Sequence, residues 1–135
     1  MAHPFLPPAD DPSIPDEAFL WRRIIPQWWV KDPSTGLYRL SSEGFGDPPD
    51  GSHMSVAIRD EIIGGVATFL ATCPPGVGTA EFTAAHARHV CHMAVARDPL
   101  PNEPWHAVVV GKKKKQNIRR QLRDGCQMVI HPREG

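Results

Sequence analysis

The chain has 135 residues, 41% of them hydrophobic, enough for one core that hides roughly two thirds of the unfolded surface and too few for two such cores. Fifteen basic and fifteen acidic side chains cancel, and a formal charge of zero argues against a general nucleic-acid binder. The neutrality hides a division: residues 1–67 hold five basic and ten acidic side chains, residues 68–135 hold ten and five, so a basic side is expected.

Cys73, Cys91 and Cys126 form neither a CxxC pair nor a disulfide framework, which points to a reducing interior. The longest apolar run, IIGGVATFLATC, is far short of the ~20 residues that cross a bilayer, and the amino-terminal segment lacks the charged start and apolar block of a signal peptide. A cytoplasmic protein with no membrane contact is therefore expected.

Five prolines and four acids among the first seventeen residues resist packing, so residues 1–15 are expected as a flexible tail and residues 16–135 as a single domain. DEAFLWRRI, from Asp16, predicts a short helix with acids in its first turn, interrupted by Pro26. Residues 28–53 read as short extended pieces joined by the turns DPSTG and DPPDG, and MSVAI reads as a strand. In RDEIIGGVATFLAT the apolar residues fall at helical spacing, weakened by Gly64 and Gly65. TAEFTAAHARHV predicts a helix, entered through a short strand. CHMAVARDP and WHAVVVG predict strands around the proline-rich loop DPLPNEP. GKKKKQNIRRQLRDG follows with Ile118 and Leu122 as the inward face of a short helix stopped by Gly125, before a last strand, QMVIH. The expected fold is α+β: a single small domain with a mixed sheet and helices mainly on one face.

Four places invite chemistry. Lys112, Lys113, Lys114 and Lys115, with Arg119, Arg120 and Arg123, put cations where a helix already offers free N–H groups and positive potential, so an anion such as phosphate would relieve the conflict. The alternative is a solvated face paired with the acidic half of the molecule. The phosphate-loop pattern is absent, and no aromatic residue is interleaved for stacking bases. His86, His89 and His92 lie three apart and, on a continuous helix, would approach a metal with Cys91 or His106, but the strand expected at Cys91 scatters them, and no metal or cofactor is expected. The loop from Arg97 to His106 gathers Arg97, Asp98, Asn102, Glu103 and His106 between strand ends, with Trp105 to wall off water and with Ser41, Ser42 or Cys126 as serine or cysteine partners that folding would bring near. LWRRIIPQWWV holds three tryptophans, of which Trp21 and one of Trp28 and Trp29 are expected in the core and the other at a partner.

LWRRI at 20–24, RLSSEGF at 39–45, MSV at 54–56 and RDPLPNEPWHAVVVGKK at 97–113 resemble the matching segments of a group of small bacterial proteins with no established activity. The resemblance implies a bacterial origin. A looser similarity, through Arg39, Ser41, Ser42 and Glu61, is to the NAD-cleaving RES-type and ADP-ribosyltransferase-like folds. The favoured expectation is a non-enzymatic accessory module that binds a protein partner, an anionic surface or a nucleic-acid backbone through its basic helix, Trp28 and Trp29. The alternative is a small enzyme acting on a nucleotide or NAD-like ligand, with Arg39, Ser41, Asp98 and His106 as catalytic candidates.

Overall fold

A computed structural model of the chain describes residues 9–113 and 115–133. The domain is α+β, and among the described residues no helix is long and apolar enough to cross a membrane. Strands β1 (Phe19–Ile24), β4 (Met54–Ile58), β5 (Gly78–Thr83), β6 (Ala94–Arg97), β7 (His106–Val110) and β8 (Gln127–Ile130) form one sheet in the order β6-β7-β4-β1-β5-β8. Two short strands, β2 (Trp29–Lys31) and β3 (Tyr38–Leu40), pair separately as a hairpin. The sheet was expected to be mixed; among the described residues all five of its ladders are antiparallel.

Side chains alternate across a strand, so Leu20 and Ile24 of β1 share one face, on which Val56, Ile58, Phe82, Val95 and Val109 are also buried. Helix α2 (Gln116–Asp124) helps to cover this face through the fully buried Leu122, packing beside a 3-10 turn at Ser42–Phe45 that contributes Phe45. The opposite face carries a smaller cluster of Trp21, Ala57, Ile62, Phe69 and Trp105. There Phe69, at the end of the one-turn helix α1 (Gly65–Phe69), lies 5.6 Å from the Trp21 ring and meets Trp105 edge-on at 5.7 Å.

Strands β4, β6, β7 and β8 and helix α2 lie where the sequence pattern places them. DEAFLWRRI does not form a helix: residues 19–24 form β1, which makes a six-residue ladder with β5. Tertiary pairing outweighs local propensity here, because a central strand buries both of its faces. The helix expected from Arg59 to Thr72 is cut down to α1, since Gly64 and Gly65 adopt φ of +93° and +65°, outside helical geometry. As a result Ile63, placed on the buried face by its spacing, is 92% exposed. TAEFTAAHARHV is strand first, through Thr83 of β5, and helical over residues 84–90, where His86–Val90 form a π-helical turn, as the expected helix entered through a strand.

The expected tail lies partly outside the described residues, and its described end is docked rather than loose. Asp11 N–H donates to the Val95 carbonyl at 2.8 Å, Val95 N–H donates to the Asp10 carboxylate at 2.8 Å, and Ile14 is fully buried. Arg88 holds the segment with bonds to Asp10, Asp16 and the Asp11 carbonyl. Residues 10–15 therefore belong to the domain, because one buried isoleucine and a set of charge-assisted bonds offset the cost of ordering a proline-rich stretch.

Candidate functional site

The site grows from a split in the sheet. β1 pairs with β4 only at Leu20↔Ile58 and Trp21↔Ala57, so the two central strands part beyond Trp21. Arg22 fills the gap: Nε donates to the Gly44 carbonyl at 3.0 Å and Nη1 to the Ser55 carbonyl at 2.8 Å, while the guanidinium lies 5.3 Å from the Trp28 ring centre. Burial pulls its pKa down to about 10, against the opposing attraction of Asp47, so it stays charged at neutral pH.

On one side of Arg22 a cleft of about 770 Å³ opens, lined by Arg22, Trp28, Glu43, Asp47, His53, Lys113 and Arg119 among others. Its geometry separates the basic residues that the sequence presents as one block. Lys113 is internal, its side chain 1% exposed, and Nζ donates to the Val109 and Gly111 carbonyls at 3.0 Å and meets Asp47 at 3.1 Å. Burial lowers its pKa, while Asp47 resists the change. Arg119 donates to the Lys113 carbonyl at 2.9 Å and lies 3.6 Å from Glu43. Arg123 is paired with Asp124. Lys112, Lys115 and Arg120 are exposed and make no ion pair among the described residues; Lys114 lies outside them.

The lysines also sit differently from expectation. Helix α2 starts at Gln116 with Lys115 as its N-cap, so Lys112 and Lys113 belong to the connection from β7. The Lys115 side chain makes no capping bond at the amino end of α2, and the first turn of the helix holds no acid. Among the described residues that line the cleft, three cations, Arg22, Lys113 and Arg119, face two carboxylates, Glu43 and Asp47, a surplus of one positive charge.

Both tryptophans of the expected interface are half-buried and packed against the main core. Trp28 lines the cleft, and a Cβ on Gly44 would come within 3.0 Å of its ring. Trp29 faces elsewhere: it stacks with Tyr38 at 6.5 Å, meets His131 at 5.2 Å, and borders an open depression beside the exposed Leu37.

The catalytic candidates divide into two places. Arg39, on β3, pairs with Asp32, and Ser41 caps the 3-10 turn by accepting from Glu43 N–H. Neither bonds to Asp98 or His106 among the described residues, and neither lines the large cleft. His106 opens β7 and is buried; Nδ1 lies 2.8 Å from the Asp98 carbonyl oxygen and 3.3 Å from its carboxylate, and Nε2 lies 3.1 Å from the Ser55 hydroxyl. Ser55 was missed because it stands mid-strand in MSVAI, although a polar residue within an apolar strand was a usable signal. The two adjacent arginines of β1 were another.

The histidines of HARHVCH take separate partners: His86 bonds to the Gln121 carbonyl and His89 to Asp16, while His92, at φ +56°, is exposed. Among the described residues no three His, Cys, Asp or Glu side chains are grouped to hold a metal ion. Burial raises the Cys91 thiol to about 11 and the Cys126 thiol to about 12, so both are poor thiolates at neutral pH. No protein-family model matches the chain, and no curated protein or solved structure matches it either.

Proposed function

We propose that this chain is a small bacterial binding module that holds an anionic surface of a partner at the cleft between Arg22 and the amino end of α2. The observation that carries the reading is the surplus of positive charge there: Arg22, Lys113 and Arg119 outnumber Glu43 and Asp47, and the neighbouring Lys112, Lys115 and Arg120 are exposed. A cation surplus beside a helix start attracts carboxylates of a protein partner or phosphates, with steep salt dependence. The internal ion pairs of Lys113 and Arg119 hold the cleft in shape, and the exposed cations do the contacting.

Retention on a heparin column, resolved by a salt gradient, tests this. The wild type is expected to bind at low salt, and Lys112→Gln with Lys115→Gln and Arg120→Gln to elute distinctly earlier. Equal elution of a folded triple variant, or no retention of the wild type, overturns the reading.

A second reading, a small enzyme for a nucleotide or NAD-like ligand, is favoured by the size of the cleft and by the Trp28 ring beside its arginines. A rise in Tm with NAD or ATP, absent with inorganic phosphate at the same ionic strength, would support it.

A further inference from the structure

We infer that Ser55, His106 and Asp98 form a serine nucleophile and its base, on the far side of Arg22 from the anion cleft and independent of the anion reading. Their order in space is hydroxyl, imidazole, carboxylate, with Ser55 Oγ 3.1 Å from His106 Nε2 and His106 Nδ1 3.3 Å from the Asp98 carboxylate. The tautomer follows from a third contact. Nδ1 is 2.8 Å from the Asp98 backbone carbonyl, which has no proton to give, so Nδ1 carries the proton and donates it. The Nε2 lone pair is then left facing Ser55, and the serine hydroxyl donates to it. That is the arrangement a base needs in order to take the hydroxyl proton during attack, and such sites are recognised by geometry rather than by order in the chain.

The fold holds these groups on rigid strands. Ser55 lies on β4 opposite Val108 of β7, and His106 lies opposite Ala57, which puts serine and histidine on one face of neighbouring strands. Arg22 fixes the Ser55 carbonyl from the side. Ser55 and His106 both line a narrow slot of about 40 Å³, walled by Phe69 and Trp105 and bordered by Arg22 and Arg23. Arg22 uses Nε and Nη1 in its carbonyl bonds, and Arg23 uses Nε and Nη2 for the Phe69 carbonyl and Glu103, so each guanidinium keeps a further nitrogen to donate to an oxyanion.

So small a slot suits an ester of a short acyl group, of acetyl size. Ser55 Oγ attacks the carbonyl carbon as its proton passes to His106 Nε2; the ester C–O bond breaks, and the leaving alcohol takes that proton. Water then attacks the acyl-serine, its proton returns through His106 to Ser55, and ester plus water have become acid plus alcohol. The Asp98 carboxylate stabilises the imidazolium between these transfers, as a positioning residue.

Methanesulfonyl fluoride, small enough for the slot, tests the nucleophile directly by sulfonylating serine with loss of fluoride. Intact-mass analysis and peptide mapping of the folded wild type are expected to show one sulfonyl group on Ser55, and none in Ser55→Ala. His106→Asn is expected to slow labelling by about 100-fold or more. Should His106→Asn fail to fold, Asp98→Asn provides the measurement, because its backbone carbonyl still sets the tautomer and its exposed side chain is not needed for folding; it is expected to slow labelling on the order of tenfold through loss of imidazolium stabilisation. No modification of Ser55 in the folded wild type, or rates unchanged in the folded variants, overturns the inference and leaves the three residues as mutually satisfied polar groups of the sheet.

Discussion

Two groups of basic residues, both from the carboxy-terminal half, meet opposite fates. At the β6 edge Arg88 and Arg97 are matched by acids of the other half: Asp10 and Asp16 for the first, Glu61 and Asp11 for the second. Near the start of α2, Asp47 and Glu43 answer Lys113 and Arg119, while Lys112, Lys115 and Arg120 stay exposed. The same charge thus binds the chain to itself in one region and is left over in the other. A formal net charge of zero says nothing about which. What decides is whether an acidic segment of the same chain can reach the cations, and the segment around Asp10–Asp16 can because Ile14 anchors it in the core.

Breaking that anchor is expected to have the largest effect. Ile14→Ala should cost about 3 kcal/mol in urea unfolding, and release residues 9–16 to protease, because a fully buried isoleucine leaves a cavity. A loss under 1 kcal/mol would mean that the ion pairs, not the core, hold the segment. Lys113→Met comes next, at about 2 kcal/mol, since it removes the Lys113 donor from the buried Val109 carbonyl and from the Gly111 carbonyl and leaves Asp47 without its ion pair. An unchanged unfolding midpoint would place Lys113 with the exposed cations instead.

Acid distinguishes the two regions without mutation. Asp11 is held below its ordinary 3.8 chiefly by its bonds from Ser13, and Asp16 chiefly by its bond to His89, then by Arg88. A depressed carboxylate contributes stability that is fully present above its unfolded value and lost as pH falls through the folded one. Amide exchange across residues 9–16 is therefore expected to be slow at about pH 5, relative to the intrinsic rate, and to lose protection below about pH 3.8 before α2 does. Simultaneous loss in both regions would show that the segment is no separate unit. The smallest expected change is in Lys112→Gln, which should shift stability by less than about 0.5 kcal/mol. If the anion reading is right, it should also lower the slope of binding against salt by about one.

Helix α2 was legible because Ile118 and Leu122, four apart, and Gly125 mark its inward face and its end, and both apolar residues do pack against the core. The strands β4, β6, β7 and β8 were legible through β-branched runs between turns. β1 was not, since Asp16 and Glu17 just before it and its own arginines imitate a helix start, and only its ladder with β5 resolves the conflict. In the candidate site, Asp98 and His106 stood out through their shared loop. Ser55 did not, because it reaches His106 across 51 residues of chain.

From the sequence alone came the α+β class, the division of charge between halves, and the inward face and end of helix α2. These depend on composition and on periods of two to four residues, which the chain carries locally. Which lysine is internal, which acids clamp the amino-terminal segment, and which serine meets His106 were decided only by tertiary structure. Each depends on residues far apart in the chain being brought within about 3 Å, the range over which hydrogen bonds and ion pairs act.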